Sequence, residues 1–165
     1  MDIQTTLFKY LITFIFSMTP VIELRGSIPY AILQADLSHM EAASISIFGG
    51  ICTCFILLAI LPGMVTFCEK KIPFMHRIME KVFDKTRSKH SQKMEVVGDI
   101  ALITIVSVPL PGTGAWTGSM LAYLFGVPYK RGVGLISIGV IISGISVTLL
   151  TKFGGSLWTW ILTFF

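Results

Sequence analysis

From Ala42 to Cys68 the chain runs 27 residues without a charged side chain. As a helix rising about 1.5 Å per residue, that run reaches roughly 40 Å, against about 30 Å for the hydrocarbon core of a bilayer. It is long enough to cross with tilt to spare. A second uncharged run, Gly132 to Thr151, has 20 residues and also suffices. Composition points the same way: 53% of residues are hydrophobic, 13% are charged and the mean hydropathy is +0.79, outside the range of ordinary soluble domains. The chain reads as an all-α integral membrane protein forming a single membrane domain over residues 1–165.

The bases set the expected topology. Eight of the 13 lie between Lys70 and Lys93, and Lys130 and Arg131 form a second group. The positive-inside rule places both groups in the cytoplasm. They can share that side only if the intervening chain enters and leaves through one face. That chain is uncharged between Asp99 and Lys130 and is broken at its middle by Pro109, Pro111, Gly112 and Gly114. Each arm is too short to span, which suits a re-entrant hairpin; the alternative is one long broken crossing. The N-terminal third has the same form, with an apolar arm from Leu7 to Met18, a centre holding Pro20 and Gly26, and a second arm from Pro29 to Leu37.

Gly26 to Leu33 aligns with Gly118 to Phe125 at an offset of 92. The expectation is therefore two inverted repeats, 1–68 and 98–152, each a re-entrant helical hairpin followed by a transmembrane helix. A linker, 69–97, joins them on the cytoplasmic side of the cell membrane. Within it Met75, Ile78, Met79, Val82 and Phe83 recur at helical spacing among Arg77, Lys81 and Lys85, the pattern of a basic amphipathic helix. The tail, 153–165, carries Trp158, Trp160, Phe164 and Phe165 and suits an interfacial anchor. The opening Met1-Asp2-Ile3-Gln4 has no basic n-region, so no cleaved signal peptide is expected. Cys52, Cys54 and Cys68 read as small apolar packing residues.

Against that apolar background, Glu23 and Arg25 stand out, two residues apart between Pro20 and Pro29. A charge at mid-membrane costs about 2.5 to 3.5 kcal/mol or more, so the pair marks either a salt bridge that pins the hairpin or a polar cavity at mid-depth. At i, i+2 the two side chains of a regular helix point to different faces; in irregular backbone they can meet. In the second hairpin, Val108 to Ser119 offers no ionisable group but supplies Gly112, Gly114, Gly118 and the hydroxyls of Thr113, Thr117 and Ser119. A helix starting near Gly114 or Ala115 aims its positive end at the centre. Arg25 is then a candidate phosphate clamp, with Thr19, Ser27, Gly112, Thr113, Gly114, Trp116, Thr117 and Ser119 as further substrate-binding candidates. Glu23 is the candidate proton-coupling residue, because desolvation favours its neutral form while Arg25 favours its charge. Pro20, Gly26, Pro29, Pro109 and Pro111 are the expected hinges.

Glu-Leu-Arg-Gly-Ser-Ile-Pro at 23–29, with Pro-Leu-Pro-Gly-Thr-Gly-Ala-Trp-Thr-Gly at 109–118, resembles the bacterial and archaeal small multidrug export protein family. That family is distantly related to DedA-type, SNARE-associated or VTT-domain membrane proteins. The resemblance implies two opposed re-entrant hairpins and movement of lipids, a function that includes recycling of undecaprenyl phosphate in the wider group. It implies that the acidic and basic residues of the first hairpin correspond to Glu23 and Arg25. DedA-type proteins commonly carry a further arginine in the second hairpin, where this chain has Trp116 and Thr117.

Three functions follow as expectations. The first is a transporter or flippase for an amphipathic, lipid-phosphate-like anion; the second is a proton-coupled exporter of cationic drugs; the third is a non-transporting membrane scaffold. A fixed positive charge at Arg25 disfavours the second. Enzyme activity is not expected, since no Ser/His/Asp or metal-ligand constellation occurs, and no cofactor or metal is implied. The expected partners are membrane lipids and a small amphipathic or lipid-phosphate substrate, with a homodimer permitted and nucleic acid excluded.

Overall fold

The computed structural model describes residues 3–71, 92–110 and 112–154. Their regular structure is six helices: α1 (Ile3–Met18), α2 (Glu23–Leu33), α3 (His39–Lys71), α4 (Gln92–Ser107), α5 (Ala115–Leu124) and α6 (Tyr129–Phe153). The expected amphipathic helix around 75–83, Pro111 and the aromatic tail lie outside the described residues.

Pro20 ends α1, because it has no N–H for the helical ladder. Thr19 closes the end instead, with its N–H at 3.2 Å and its hydroxyl at 2.7 Å from the Phe16 carbonyl. The chain turns within four residues and re-enters helix at Glu23, earlier than the arm expected from Pro29. Gly26 and Pro29, expected at the break, therefore fall within a helix and not in the turn. Both lie inside α2, where Pro29 leaves the Arg25 carbonyl without its ladder donor. Asp36, at φ 53°, turns the chain towards α3. A capping box starts that helix: the Ser38 hydroxyl accepts the Glu41 N–H at 3.3 Å, and Glu41 Oε2 accepts the Ser38 N–H at 2.9 Å. Tyr10 of α1 donates to the other carboxylate oxygen at 2.5 Å. Gly126, at φ 66°, makes the turn after α5, and Arg131 near the start of α6 binds Asp99 of α4 at 2.6 Å.

Helices α3 and α6 are long and apolar enough to cross a membrane, over His39–Phe67 and Tyr129–Phe153. Only 39% of each most apolar window is buried inside the fold, so most of that apolar surface faces outward, as Phe48, Phe55, Ile60 and Ile145 do. A core helix of a soluble protein would hide such residues. Within the described residues the other four helices have 16, 11, 16 and 10 residues, short of the roughly 20 a crossing needs.

The helices fall into two sets of neighbours. Helix α1 rests on α2 and α3, α4 rests on α5 and α6, each short helix (α2, α5) touches both long ones, and α3 packs on α6. Exchanging α1 with α4, α2 with α5 and α3 with α6 leaves this set of neighbours unchanged. The starts of α2 and α5, residues 23 and 115, are separated by 115 − 23 = 92 positions, the offset of the sequence match. Leu24 and Ile28 of α2, Val106 of α4, Ala115 of α5 and Ile136 and Val140 of α6 share one buried cluster.

Candidate functional site

The turns after α1 and α4 meet. Glu23 opens α2 at φ 49°, a left-handed conformation uncommon for a residue with a side chain. Its side chain thus leaves the regular helical direction and reaches Arg25, which resolves the i, i+2 problem: Arg25 Nη1 lies 2.7 Å from Glu23 Oε2. The second carboxylate oxygen accepts the backbone N–H of Ala115, the first residue of α5, at 2.6 Å. The positive end of α5 thus points at a negative charge, as expected, and the charge is the protein's own. Glu23 is 5% exposed, so the pair is held away from solvent.

Gly114 makes this approach feasible. It sits at φ 155° and ψ −154°, and a Cβ there would collide with both carboxylate oxygens.

Arg25 ties the same carboxylate to the end of α4. Its Nη2 donates to the Val108 carbonyl and to Thr113 Oγ1, both at 2.9 Å. Thr113 directs its own hydrogen to the Val108 or Leu110 carbonyl, at 2.7 and 2.8 Å. The guanidinium Nε is buried and has no hydrogen-bond partner among the described residues. Across the junction, Trp116 Nε1 donates to the Met18 carbonyl at the end of α1, at 3.1 Å.

The structure therefore brings together Glu23, Arg25, Thr113, Gly114 and Trp116. Thr117 lies one residue further along α5 and donates to the Gly112 carbonyl at 2.5 Å, closing the turn. The remaining hydroxyl candidates are engaged elsewhere. Ser27 donates to Ser46 of α3 at 2.8 Å, Ser119 to the Ala115 carbonyl at 2.7 Å and Thr19 to Phe16. Ser27 and Ser119 are fully buried, which is the position of helix-packing groups. Pro20 is exposed at the first tip, and Pro109 follows Val108 at the second. Two groups went unpredicted: the Val108 and Met18 carbonyls. They are backbone atoms at helix ends, visible in sequence only by their nearness to Pro20 and Pro109.

Compared with known families, residues 23–145 match the family model of the small multi-drug export protein. The match opens on Glu23, just after the first turn, takes in the second turn and ends within α6. No curated protein and no solved structure matches the chain.

Proposed function

The chain belongs to the small multi-drug export protein family, matched over 123 of its 165 residues, and from that premise we propose that it is a membrane transporter or flippase for an amphipathic, lipid-phosphate-like anion. The observation that carries the reading is the convergence of Arg25 Nη1 and the Ala115 N–H on a single oxyanion, the Glu23 carboxylate. A guanidinium fork and a helix N-terminus are the two devices proteins use most for phosphate.

In this reading α1–α2 and α4–α5 are re-entrant hairpins that enter from opposite faces and touch at mid-depth, while α3 and α6 cross. Their sub-spanning lengths, the meeting of their tips and the two sets of neighbours support that arrangement. The repeats are 1–68 and 98–152, with the linker 69–97 in the cytoplasm of a cell-membrane protein. The wider kinship with DedA-type proteins belongs to the same proposal. Val21, two residues before Glu23, and Leu110, two after Val108, are 77% and 57% exposed and in this reading offer apolar surface to an alkyl chain. Glu23 couples the cycle to protons: once protonated it gives up its charge-assisted contacts to Arg25 and Ala115 and loosens the junction of the hairpins. No covalent chemistry is involved; lipids and the substrate are the partners.

The family name favours a second reading, proton-coupled export of cationic drugs through Glu23. The guanidinium 2.7 Å from that carboxylate weighs against it, because it already supplies the cation. Flux in protein-containing liposomes separates the two. A fluorescent phosphatidate should exchange leaflets at least about tenfold faster than in empty vesicles, and Arg25→Lys should remove most of the gain, since an ammonium does not reproduce the fork. Exchange no faster than in empty vesicles, with export of a cationic dye intact, would replace the first reading with the second.

A further inference from the structure

We infer that the Glu23 carboxylate is an internal anion: it occupies the place of the substrate's phosphate, and it must leave Arg25 and the α5 N-terminus before an external phosphate enters. The inference rests on reading this site as an anion site and adds how it is kept filled. Three features of the cradle suit an oxyanion better than they suit a plain salt bridge. First, the carboxylate is bound by donors on two helices, Arg25 Nη1 of α2 at 2.7 Å and the Ala115 N–H of α5 at 2.6 Å. A bridge that only neutralised Arg25 would not need the backbone of α5. Second, Gly114 leaves the space of a Cβ to the carboxylate oxygens, so the backbone is shaped around the anion. Third, the carboxylate does not saturate the guanidinium. Its two oxygens are taken by Nη1 and by α5, while the buried Arg25 Nε has no partner among the described residues. A phosphate group brings a third oxygen to the same guanidinium.

Glu23 is well placed to leave. It sits at the first position of α2 with φ 49°, a conformation held at some cost by its contacts, and the turn before it is only Thr19 to Ile22. Two anions cannot share the cradle, since like charges at that separation repel strongly away from water. Occupation by substrate and occupation by Glu23 are thus mutually exclusive. The carboxylate that closes the junction in the empty protein is released by the ligand, which ties opening of the hairpins to arrival of the phosphate.

The test is chemical rescue of the emptied cradle. Full-length wild type, Glu23→Ala, Glu23→Gln and the double variant Glu23→Ala/Arg25→Ala are purified in an uncharged detergent. Thermal unfolding is followed with inorganic phosphate, with hexadecyl phosphate in the micelles, and with acetate. Glu23→Ala should unfold at lower temperature than wild type and recover about 3 to 4 °C with phosphate at ten times its Kd. Wild type should shift far less, acetate should rescue less than phosphate, and the double variant should show no rescue. Glu23→Gln, which keeps the shape and loses the charge, should show the same preference with a smaller shift. Rescue by hexadecyl phosphate alone would assign the site to a lipid headgroup; equal rescue by inorganic phosphate would assign it to the free ion. The inference is overturned if neither variant gains more from phosphate than wild type does, if the double variant is rescued equally, or if neither variant folds with any of the anions. Liposome flux is read separately: rescue without wild-type flux sinks the transport reading alone, and flux without rescue sinks only the internal anion.

Discussion

Trp116 Nε1–H donates to the Met18 carbonyl at 3.1 Å, so the start of α5 caps the end of α1. Arg25 does the reciprocal job, binding the Val108 carbonyl just beyond α4 at 2.9 Å. Trp116 thus satisfies a carbonyl that the α1 ladder leaves without a donor, while Arg25 adds to the Leu110 N–H and Thr113 hydroxyl already on Val108. Away from water, an unpaired carbonyl is costly, and this makes the junction mutually dependent. Trp116→Phe keeps most of the ring and removes the donor. It should lower stability by about 1 to 2 kcal/mol, or roughly 2 to 8 °C in Tm, measured by thermal unfolding in detergent. No change in Tm would mean that the indole only fills space.

Gly114 provides a sharper test of the carboxylate cradle. At φ 155° it faces both Glu23 oxygens, whereas Gly126, at φ 66°, has open space where a Cβ would go. Gly126→Ala should cost only the backbone strain, about 1 to 2 kcal/mol. Gly114→Ala must also push the carboxylate off the Ala115 N–H, so its loss should approach the 3 to 5 kcal/mol or so of a broken buried pair. Equal Tm losses for the two variants would show that the carboxylate contact to α5 contributes little.

Ser27 separates what the sequence made legible from what it did not. The two uncharged runs and the broken centres are long patterns of charge and of proline and glycine, which a few residues cannot disguise, whereas the offset of 92 rests on one eight-residue match. The start of α5 and the likeness between the two turns were therefore readable from sequence. Side-chain direction within a short helix was not: Gly26 and Pro29 suggested irregular backbone, so every nearby hydroxyl became a site candidate. Once the helix resumes at Glu23, Ser27 faces α3 and pairs with Ser46 at 2.8 Å. Even the capping box Ser38-His39-Met40-Glu41, a local signal for the start of α3, stood outside a reading built on uncharged runs. Ser27→Ala should cost about 1 kcal/mol and show positive coupling with Ser46→Ala in a double-mutant cycle. Phosphatidate flux per folded protein should be unchanged; a severalfold fall would restore Ser27 to the binding site.

The last prediction concerns whether Glu23 and Arg25 are interchangeable. If their only role is mutual neutralisation, the exchange Glu23→Arg with Arg25→Glu should recover most of what Glu23→Gln loses, because the net charge of the pair is kept. The contacts around each residue argue otherwise. Position 23 faces a donor, the Ala115 N–H at 2.6 Å, and position 25 faces acceptors, the Val108 carbonyl and Thr113 Oγ1 at 2.9 Å. After the exchange a guanidinium would be turned towards an N–H and a carboxylate towards a carbonyl, so both positions would lose partners that the single variant keeps. The longer side chain would also have to take up φ 49°, which the carboxylate contacts now hold in place. Glu23→Gln retains an acceptor for Ala115, and its loss should stay near or below the roughly 3 to 5 kcal/mol of an uncompensated buried charge. The exchanged protein should unfold at a lower temperature than Glu23→Gln and give no phosphatidate flux in liposomes. Recovery of Tm to within about 2 °C of wild type, which is under 1 kcal/mol at this chain length, would reduce the pair to a simple counter-ion arrangement.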